Sequence, residues 1–278
     1  MHRLAKRYHP ITGTPFQRDD TYREYMPCEA LRPYIRCFWG TEKPVTLPPG
    51  EDEPGIVIPD TCMDIIFDLN HSRGCMNGFF AAIDEGSYRT GGWRSTDTTS
   101  TFGIRFYAWT AALFTGESFA GKKNAHFPVE MFFGLLKDAL EPILWEMTDM
   151  PERIHAAEGI LLSLMDKHRF DADVMNAVDL LLMKNGNARI ADLAGYTAAS
   201  QKKLERAFSR QIGLSPKAFA GLVRYQLLWQ EIARCNGANV QDMVEKYGYA
   251  DQAHMLNDFR RRHLMNPTQA LALAKRKR

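Results

Sequence analysis

The last hundred residues of this chain repeat their own pattern at an offset of 51 positions. The aligned pairs are Leu204 with Met255, Phe208 with Phe259, Arg210 with Arg261, and Pro216 with Pro267. Each copy runs from one short helical pattern through a turn into a second helical pattern, which ends eight residues before the proline. An internal repeat of this kind predicts two supersecondary units of one design. We therefore expect two helix-turn-helix units, which we call the first and second copies.

In the first copy, the second helix has one apolar face and one basic face. Leu204, Ala207 and Phe208 fall within one arc at 100° per residue, and Ser200 is a favoured residue at the N-cap. The opposite face suits phosphates and the base edges of a major groove about 12 Å wide. The candidate DNA contacts are Ser200, Gln201, Lys202, Lys203, Arg206 and Arg210.

The second copy has the same division of faces. Its inner face is made of Tyr249, Met255, Leu256 and Phe259. Asparagine suits adenine and arginine suits guanine, so the polar face favours base readout. The candidate contacts are Gln252, His254, Asn257 and Arg261. A solvated helical face explains either copy alone, but two copies in register favour binding to DNA.

The segment between the copies predicts a long, rigid helix. Pro216 stands at an early helical position, an apolar pattern follows, and Gly237 provides a stop signal. A fixed separation lets two recognition helices enter successive major grooves, about 34 Å apart, on one side of a duplex.

The charge of the chain is segregated. Residues 171–278 contain 17 Lys and Arg against 10 Asp and Glu, a net charge of +7, whereas residues 1–170 have a net charge of −5. Four of the positive charges lie at 275–278, and a solvated charged tail is an alternative explanation for these four. A basic segment next to an acidic one favours a module that binds nucleic acid.

These residues resemble the AraC-type (arabinose-regulator) transcription factors, whose DNA-binding domain has two helix-turn-helix motifs joined by a long helix. The resemblance covers about residues 173–273, and its motifs are SQKKLERAF at 200–208, GLSP at 213–216, GYADQAH at 248–254, FRR at 259–261 and Pro267. It implies double-stranded promoter DNA and RNA polymerase as partners. The sequence departs from the family pattern at Ala198, Val244, Leu264 and Asn257; the first three concern packing and turn geometry, and Asn257 concerns base readout.

The first half of the chain has the pattern of a β-rich domain. Short aromatic and β-branched runs at 55–59, 63–67, 78–81 and 101–106 are separated by turn signals, and 41–54 is a proline-rich surface loop. The stretches 27–39, 58–64 and 103–106 resemble the regulatory domains of one branch of the same family, which implies a cupin-like β-barrel that senses an effector. We expect an α+β protein with a regulatory domain over 1–128, a helical linker and dimerisation region over 129–170, and a DNA-binding domain over 171–278.

Aromatic and basic residues of the β-rich domain form a candidate effector pocket. They are Trp39, Trp93, Arg94, Arg105, Tyr107 and Trp109. An apolar enclosure with cationic anchors suits a small anionic or aromatic ligand. Packing of these aromatic residues in the core of the domain is the alternative.

The helix that opens at Pro151 carries one apolar stripe. Its members are Ile154, Ala157, Leu161, Leu164 and Met165. The stripe packs either against the β-rich domain or against the same helix of a second subunit, as a homodimer, and the sequence leaves both arrangements open.

The sequence predicts no catalytic site, cofactor or metal. It has no nucleophile elbow or phosphate-binding loop, and His71 and His126 of the β-rich region lie far apart. An odd number of cysteines, a polar N-terminal segment and the lack of an apolar run of about 20 residues lead us to expect a soluble cytoplasmic protein. Two alternatives remain: a DNA-tethered enzyme, such as an alkyl-accepting repair protein with Cys62 as acceptor, and a first domain that only binds other proteins.

Overall fold

The computed structural model describes residues 2–14, 22–46, 56–89, 96–234 and 240–276. A short helix α1 (His2–Arg7) precedes the strands, and all the strands lie before residue 129. Helices make up nearly all of the described chain after that point. The α+β class expected from the sequence is confirmed.

The β-rich domain contains two antiparallel sheets. The strands are β1 (Gly13–Thr14), β2 (Arg23–Tyr25), β3 (Ile35–Gly40), β4 (Val45–Thr46), β5 (Ile56–Val57), β6 (Cys62–Asn70), β7 (Cys75–Ala81), β8 (Tyr88–Arg89), β9 (Thr98–Tyr107) and β10 (His126–Pro128). The larger sheet has the order β10-β7-β6-β9-β3-β2, with β4 also paired to β9, and the smaller sheet has the order β1-β5-β8.

The side chains of the central strand β6 alternate between a buried face and a second face. Met63, Ile65, Phe67 and Leu69 are buried on one face of the strand, as expected when one face of a sheet packs against a core. Asp64 lies on the other face, opposite Arg105 of β9. Each of the four runs predicted as strands contains a strand in the structure. Strands β6, β7 and β9 are longer than predicted, whereas β5 covers only two residues of the run at 55–59, whose first residue lies outside the described residues.

Two helices cover the larger sheet. They are α2 (Glu130–Glu146) and α3 (Met150–Leu164), with Pro151 in the first turn of α3 as its fixed φ favours. The guanidinium of Arg153 is buried and donates to the carbonyl oxygens of Met147 and Leu144, both at 2.7 Å, and to Ser100 Oγ at 3.2 Å.

The apolar stripe of α3, which the sequence places either against the β-rich domain or in a dimer contact, is covered within the chain. Ile154, Ala157 and Leu161 are buried in the main hydrophobic core, and Leu164 and Met165 are half-buried against it. The β-rich domain and α2 already exclude water from Ile154, Ala157 and Leu161, so a second subunit would gain no apolar burial at these three residues. Of the two arrangements left open by the sequence, the structure has the packing within the monomer.

The C-terminal region contains seven helices in the part of the chain that is described. They are α4 (Ala172–Met183), α5 (Ile190–Thr197), α6 (Gln201–Ile212), α7 (Pro216–Arg234), α8 (Val240–Lys246), α9 (Gln252–His263) and α10 (Pro267–Arg276). Helix α7 is the predicted long helix, and its 19 residues span about 28 Å. The predicted stop at Gly237 lies outside the described residues.

The two regions share one continuous core. Trp109, which follows β9, packs edge-on against Phe219 of α7 with ring centroids 6.0 Å apart. The side-chain amide of Gln226 on α7 donates to the carbonyl oxygens of Ile11 and Pro59 and accepts from Ile11 N–H. The helical region is therefore fixed directly to the β-rich domain.

Candidate nucleic-acid interface

The first copy forms a helix-turn-helix from α5 and α6. Ser200 is the N-cap of α6, and its side chain accepts from the backbone N–H of Lys203 at 3.2 Å. Leu204, Ala207 and Phe208 are buried as predicted, which fixes the rotation of α6 about its axis. The helix ends at Gly213, a left-handed C-cap with φ of 81°.

The second copy forms the same motif from α8 and α9. Asp251 is the N-cap of α9, and its carboxylate accepts from His254 N–H at 2.7 Å. Met255 and Phe259 are buried on the inner side. The repeat at 51 residues thus corresponds to two motifs joined by α7.

Two of the departures from the family pattern stand at left-handed backbone positions. Ala198, in the turn of the first motif, has φ of 54°, and Leu264, at the end of α9, has φ of 60°. The left-handed conformation costs a residue with a Cβ atom roughly 1–2 kcal/mol of conformational free energy. Ala198 and Leu264 therefore occupy a backbone conformation that favours glycine.

The ten candidate DNA contacts are all exposed. On α6, Lys202 and Arg206 lie at the centre of the outward face, and neither has an ion pair within the described residues. On α9, His254, Asn257 and Arg261 share one outward arc, because they are three and four positions apart. Each recognition helix thus presents one polar face that is open to a ligand.

Gln252 lies apart from the other candidates of the second motif. It lines a cavity of about 460 Å³ together with Met255, Leu256 and Arg260. At 100° per residue, it points about 140° away from Asn257 around the axis of α9. Gln252 and Asn257 therefore face different surroundings.

Acidic residues at the start of α4 pair with two of the basic candidates. Lys203 Nζ lies 2.6 Å from an oxygen of Asp173, and Arg210 Nη2 lies 3.5 Å from an oxygen of Asp171. These pairs place Lys203 and Arg210 on the flank of α6 that faces α4. The centre of the outward face is left to Lys202 and Arg206.

A buried carboxylate organises the second motif. Asp258 accepts from Arg261 Nη2 at 2.6 Å, from Arg262 Nε at 3.3 Å and from the hydroxyl of Tyr249 at 3.1 Å. Burial by itself raises the pKa of Asp258, but the charge of Arg262 and the bonds from Arg261 and Tyr249 hold it below its usual value. Asp258 therefore stays ionised and orients the candidate contact Arg261.

A neutral histidine lies beside this network. His263 is fully buried, its ring stacks on Phe259 with centroids 4.9 Å apart, and its Nδ1 lies 2.6 Å from the hydroxyl oxygen of Tyr225. Burial lowers the pKa of His263 to about 3. The core of the second motif thus contains a histidine that is uncharged at neutral pH.

The candidate effector residues do not form one group. Arg105 is buried and paired with Asp64, 3.0 Å from Nε to the nearer oxygen, and its guanidinium lies 5.8 Å from the ring centroid of Trp39. The indole N–H of Trp39 also donates to Asp64, at 2.7 Å. Trp93 and Arg94 lie outside the described residues. Arg105 is thus a cation whose charge is already matched inside the domain.

Tyr107 and Trp109 lie nearer the helical region. Their rings stack with centroids 4.8 Å apart, and both are buried in the shared core. For Trp109 this is the alternative considered from the sequence, in which the aromatic residue packs in a core. It fills the junction between the two regions rather than the wall of an open pocket.

Four functional residues were missed by the sequence analysis. Asp171 and Asp173 pair with the flank of α6, and Asp258 and Arg262 form the buried network of α9. The spacing of Asp258 from Arg261 and Arg262, three and four positions, was a visible signal for ion pairs within a helix. No local signal connects Asp171 or Asp173 with α6, because that contact depends on the tertiary packing of α4.

Other kinds of site find no support in the described residues. These contain no group of three or more His, Cys, Asp or Glu side chains arranged to hold a metal ion. They also contain no helix that is long and apolar enough to cross a membrane.

Comparison with known families matches both regions of the chain. Residues 193–272 match a helix-turn-helix domain family, and residues 23–128 match a domain family of unknown function. The first match begins within α5 and ends within α10, so it spans both motifs. No curated protein matches the chain.

Several solved structures are similar to parts of the chain. A probable AraC family transcriptional regulator from Rhodopseudomonas palustris is 24% identical over 37% of this chain and 98% of its own, with a TM-score of 0.34. A transcriptional regulator with an AraC-type DNA-binding domain from Chromobacterium violaceum is 22% identical over 36% and 89%, also with a TM-score of 0.34. ToxT from Vibrio cholerae is 10% identical over 91% and 98%, with a TM-score of 0.42.

Two helix-turn-helix units of one design, joined by one long helix and matched over 193–272, are the DNA-binding domain that the resemblance implied. Residues 193–272 of the chain therefore form a DNA-binding helix-turn-helix domain.

Proposed function

We propose that the protein binds a two-part site in double-stranded promoter DNA by placing α6 and α9 in successive major grooves. The observation that supports this proposal is the pair of exposed polar faces, one on each recognition helix, held by a continuous helix of about 28 Å. The protein then acts in the cytoplasm, where it meets promoter DNA and RNA polymerase.

The positions of the side chains suggest that some of them read bases and others contact phosphates. Arg206 and Lys202 on α6, and Asn257 and Arg261 on α9, occupy the outward centres and would read base edges. Lys203 and Arg210 lie on the flank of α6 and would contact phosphates, which position the protein without reading sequence. Ser200 and Gln201, at the N-terminus of α6, are placed for phosphate contacts as well.

We propose that the β-rich domain binds a small-molecule effector at Asp84. Asp84, which follows β7, has no hydrogen bond or ion pair with any other described residue. Burial, and then the charges of Asp60 and Asp64, raise the pKa of Asp84 to about 7. A partly buried carboxylate without a partner favours a ligand with a hydrogen-bond donor or a positive charge, in contrast to the anionic ligand considered from the sequence.

We propose that the protein is not an enzyme. Alkyl transfer to Cys62 would need a thiolate, but Cys62 is buried, and burial and then the charge of Asp60 raise the pKa of its thiol well above the usual value. The DNA-tethered repair enzyme is therefore not favoured. A first domain that only binds proteins stays an alternative, which the effector experiment below distinguishes.

Selection from a library of random duplexes tests the DNA proposal. The full chain should enrich one sequence with two conserved blocks, spaced by about one helical turn from centre to centre. The Arg206→Ala variant should relax the preference at one block, and Asn257→Ala at the other. If neither substitution alters the selected sequence, the assignment of the reading faces is wrong.

Thermal unfolding in the presence of fractionated metabolites tests the effector proposal. A ligand that binds only the native state raises the unfolding temperature by mass action. Asp84→Asn should remove the response, whereas Asp138→Asn, at an exposed position of α2, should keep it. An unchanged unfolding temperature in every fraction would favour the protein-binding alternative.

A further inference from the structure

Backbone groups of the β-rich domain bind the last turn of both recognition helices. At the first motif, the N–H of Phe119 donates to the carbonyl oxygen of Arg210 at 2.8 Å. At the second motif, the N–H of Ser87 donates to the carbonyl oxygen of Arg262 at 3.1 Å, and the Ser87 hydroxyl donates to the same oxygen. At the offset of 51, Arg210 is equivalent to Arg261, which is one position before Arg262. The β-rich domain therefore donates a backbone hydrogen bond to the last turn of α6 and to the equivalent turn of α9.

Close packing accompanies the hydrogen bonds at the first motif. A Cβ atom added to Gly213, which caps α6, would lie 3.0 Å from the carbonyl oxygen of Lys122 and 3.1 Å from that of Phe119. The positive φ of Gly213 and this close approach both require glycine. The end of α6 is therefore in van der Waals contact with the β-rich domain.

At the second motif, Arg262 joins three parts of the molecule. Its guanidinium donates to Asp258 of α9 and to the carbonyl oxygen of Glu85, the latter at 3.2 Å. It also lies against α7, because a Cβ atom on Gly221 would be 2.6 Å from its Nη2. One buried side chain thus connects the recognition helix, the connecting helix and the β-rich domain.

The two segments that hold the helices are tied to each other. We call residues 82–88 and 119–125 together the brace. Across it, Asn124 N–H donates to the carbonyl oxygen of Ile83 at 3.0 Å, and Glu85 N–H donates to Asn124 Oδ1 at 2.7 Å. Lys123 forms an ion pair with Glu85. The brace therefore connects the ends of α6 and α9 through a path that does not include α7.

We propose that the brace sets the distance between the two half-sites that the protein recognises, with Ser87, Asn124 and Arg262 as positioning residues. This inference rests on the proposed function, because it concerns the spacing of the two recognition helices on DNA. Helix α7 packs against both recognition helices, and the brace adds a second connection between the ends of α6 and α9. With two connections in place, the spacing of the DNA site is specified by the regulatory domain as well as by the DNA-binding domain.

The experiment measures spacing tolerance rather than affinity alone. The site enriched by the wild-type chain from random duplexes is remade with one base pair added to or removed from the gap between its blocks. The wild type should lose about tenfold in affinity on either change. Ser87→Asp places a carboxylate against the Arg262 carbonyl oxygen, and we expect it to reduce that loss to about threefold or less.

Matched variants separate the brace from other effects. Ser87→Thr keeps both donors and should retain the wild-type spacing penalty, and Ser163→Asp makes the same charge change on the exposed side of α3 and should do likewise. Asn124→Gly removes the tie to Glu85 while glycine accepts its φ of 52°, so it should relax the spacing even if Ser87→Asp fails to fold.

The two proposals fail in different ways. If the wild type enriches no DNA sequence, the proposed function is wrong. If it enriches a two-block site, and Ser87→Asp and Asn124→Gly keep the full spacing penalty, the brace proposal is overturned and the proposed function stands.

Discussion

The two helix-turn-helix motifs share one design but differ in what lies beneath their recognition helices. Under α6, the buried residues are Leu204, Ala207, Phe208 and Ile212 with one amide, Gln211. Under α9, the buried residues include Asp258, Arg262 and His263 beside Met255 and Phe259. The first helix is held mainly by apolar burial, whereas the second is held by a network of ionisable groups.

Because of this difference, the second motif depends more strongly than the first on the residues packed around its recognition helix. Apolar burial is not directional, so the buried face of α6 does not depend on particular partner atoms. Buried charges need particular partners at particular distances, so the position of α9 depends on Arg262 and therefore on the β-rich domain. We expect perturbations of charge and pH to affect the second motif far more than the first.

The largest effect is expected from Asp258→Ala. The change leaves Arg262 buried without its carboxylate, and breaking a buried ion pair from one side lowers the free energy of unfolding by about 3–5 kcal/mol. Denaturant titration followed by circular dichroism measures this loss. Asp192→Ala serves as the control, because it removes an exposed pair with Arg189 and the acceptor for the Arg189 backbone N–H at the start of α5. It should lower stability far less than Asp258→Ala does.

A second expected effect is a loss of stability in acid that depends on His263. Because its folded pKa is about 3 and its unfolded value is near 6.5, the unfolded chain binds more protons between these values. Stability should therefore fall as the pH drops from about 6.5 towards 3, by a few kcal/mol. His263→Phe should flatten this part of the profile, and an unchanged slope would mean that other groups cause it.

Removing a base reader should have a smaller and local effect. Arg206→Ala is expected to weaken binding to the selected site by about 1–3 kcal/mol and to relax the preference at one base pair. By contrast, Lys203→Ala, which removes a proposed phosphate contact, should weaken binding to all sequences equally. It should also lower the slope of log affinity against log salt concentration by about one. Fluorescence anisotropy at several salt concentrations distinguishes the two results.

The smallest effect is expected from the acidic residues beside α6. Asp173→Asn removes the partner of Lys203 and should raise the affinity for unrelated DNA slightly, because Lys203 no longer exchanges an intramolecular carboxylate for a phosphate. Asp242→Asn, in α8 of the second motif, is the matched change. An equal effect of both substitutions would reflect net charge alone.

Sequence periodicity was sufficient for the C-terminal region. The repeat, the N-cap Ser200 and the apolar arcs predicted both motifs, because each depends on interactions within about ten residues. The strands β6 and β9 were found for the same reason, since alternation and turn residues are local signals. Helix α1 was missed, because a single short basic turn has no such pattern.

Long-range contacts account for what the sequence did not predict. The apolar stripe of α3 fitted a dimer and a monomer equally well, and only the position of the β-rich domain decides between them. Arg105 was expected to bind a ligand, but its guanidinium pairs with the carboxylate of Asp64, 41 positions away in the sequence. The hydrogen bond from Phe119 to Arg210 joins residues in different domains, which no local pattern indicates.

The buried guanidinium of Arg153 limits how the α2–α3 hairpin can move. Its bonds to the carbonyl oxygens of Leu144 and Met147 use the negative end of the α2 dipole as a counter-charge, and its bond to Ser100 ties that end to β9. Lysine has one ammonium group and cannot reach acceptors on several sides with a planar fork of donors. The hairpin and the sheet should therefore shift as a single rigid body in any conformational response.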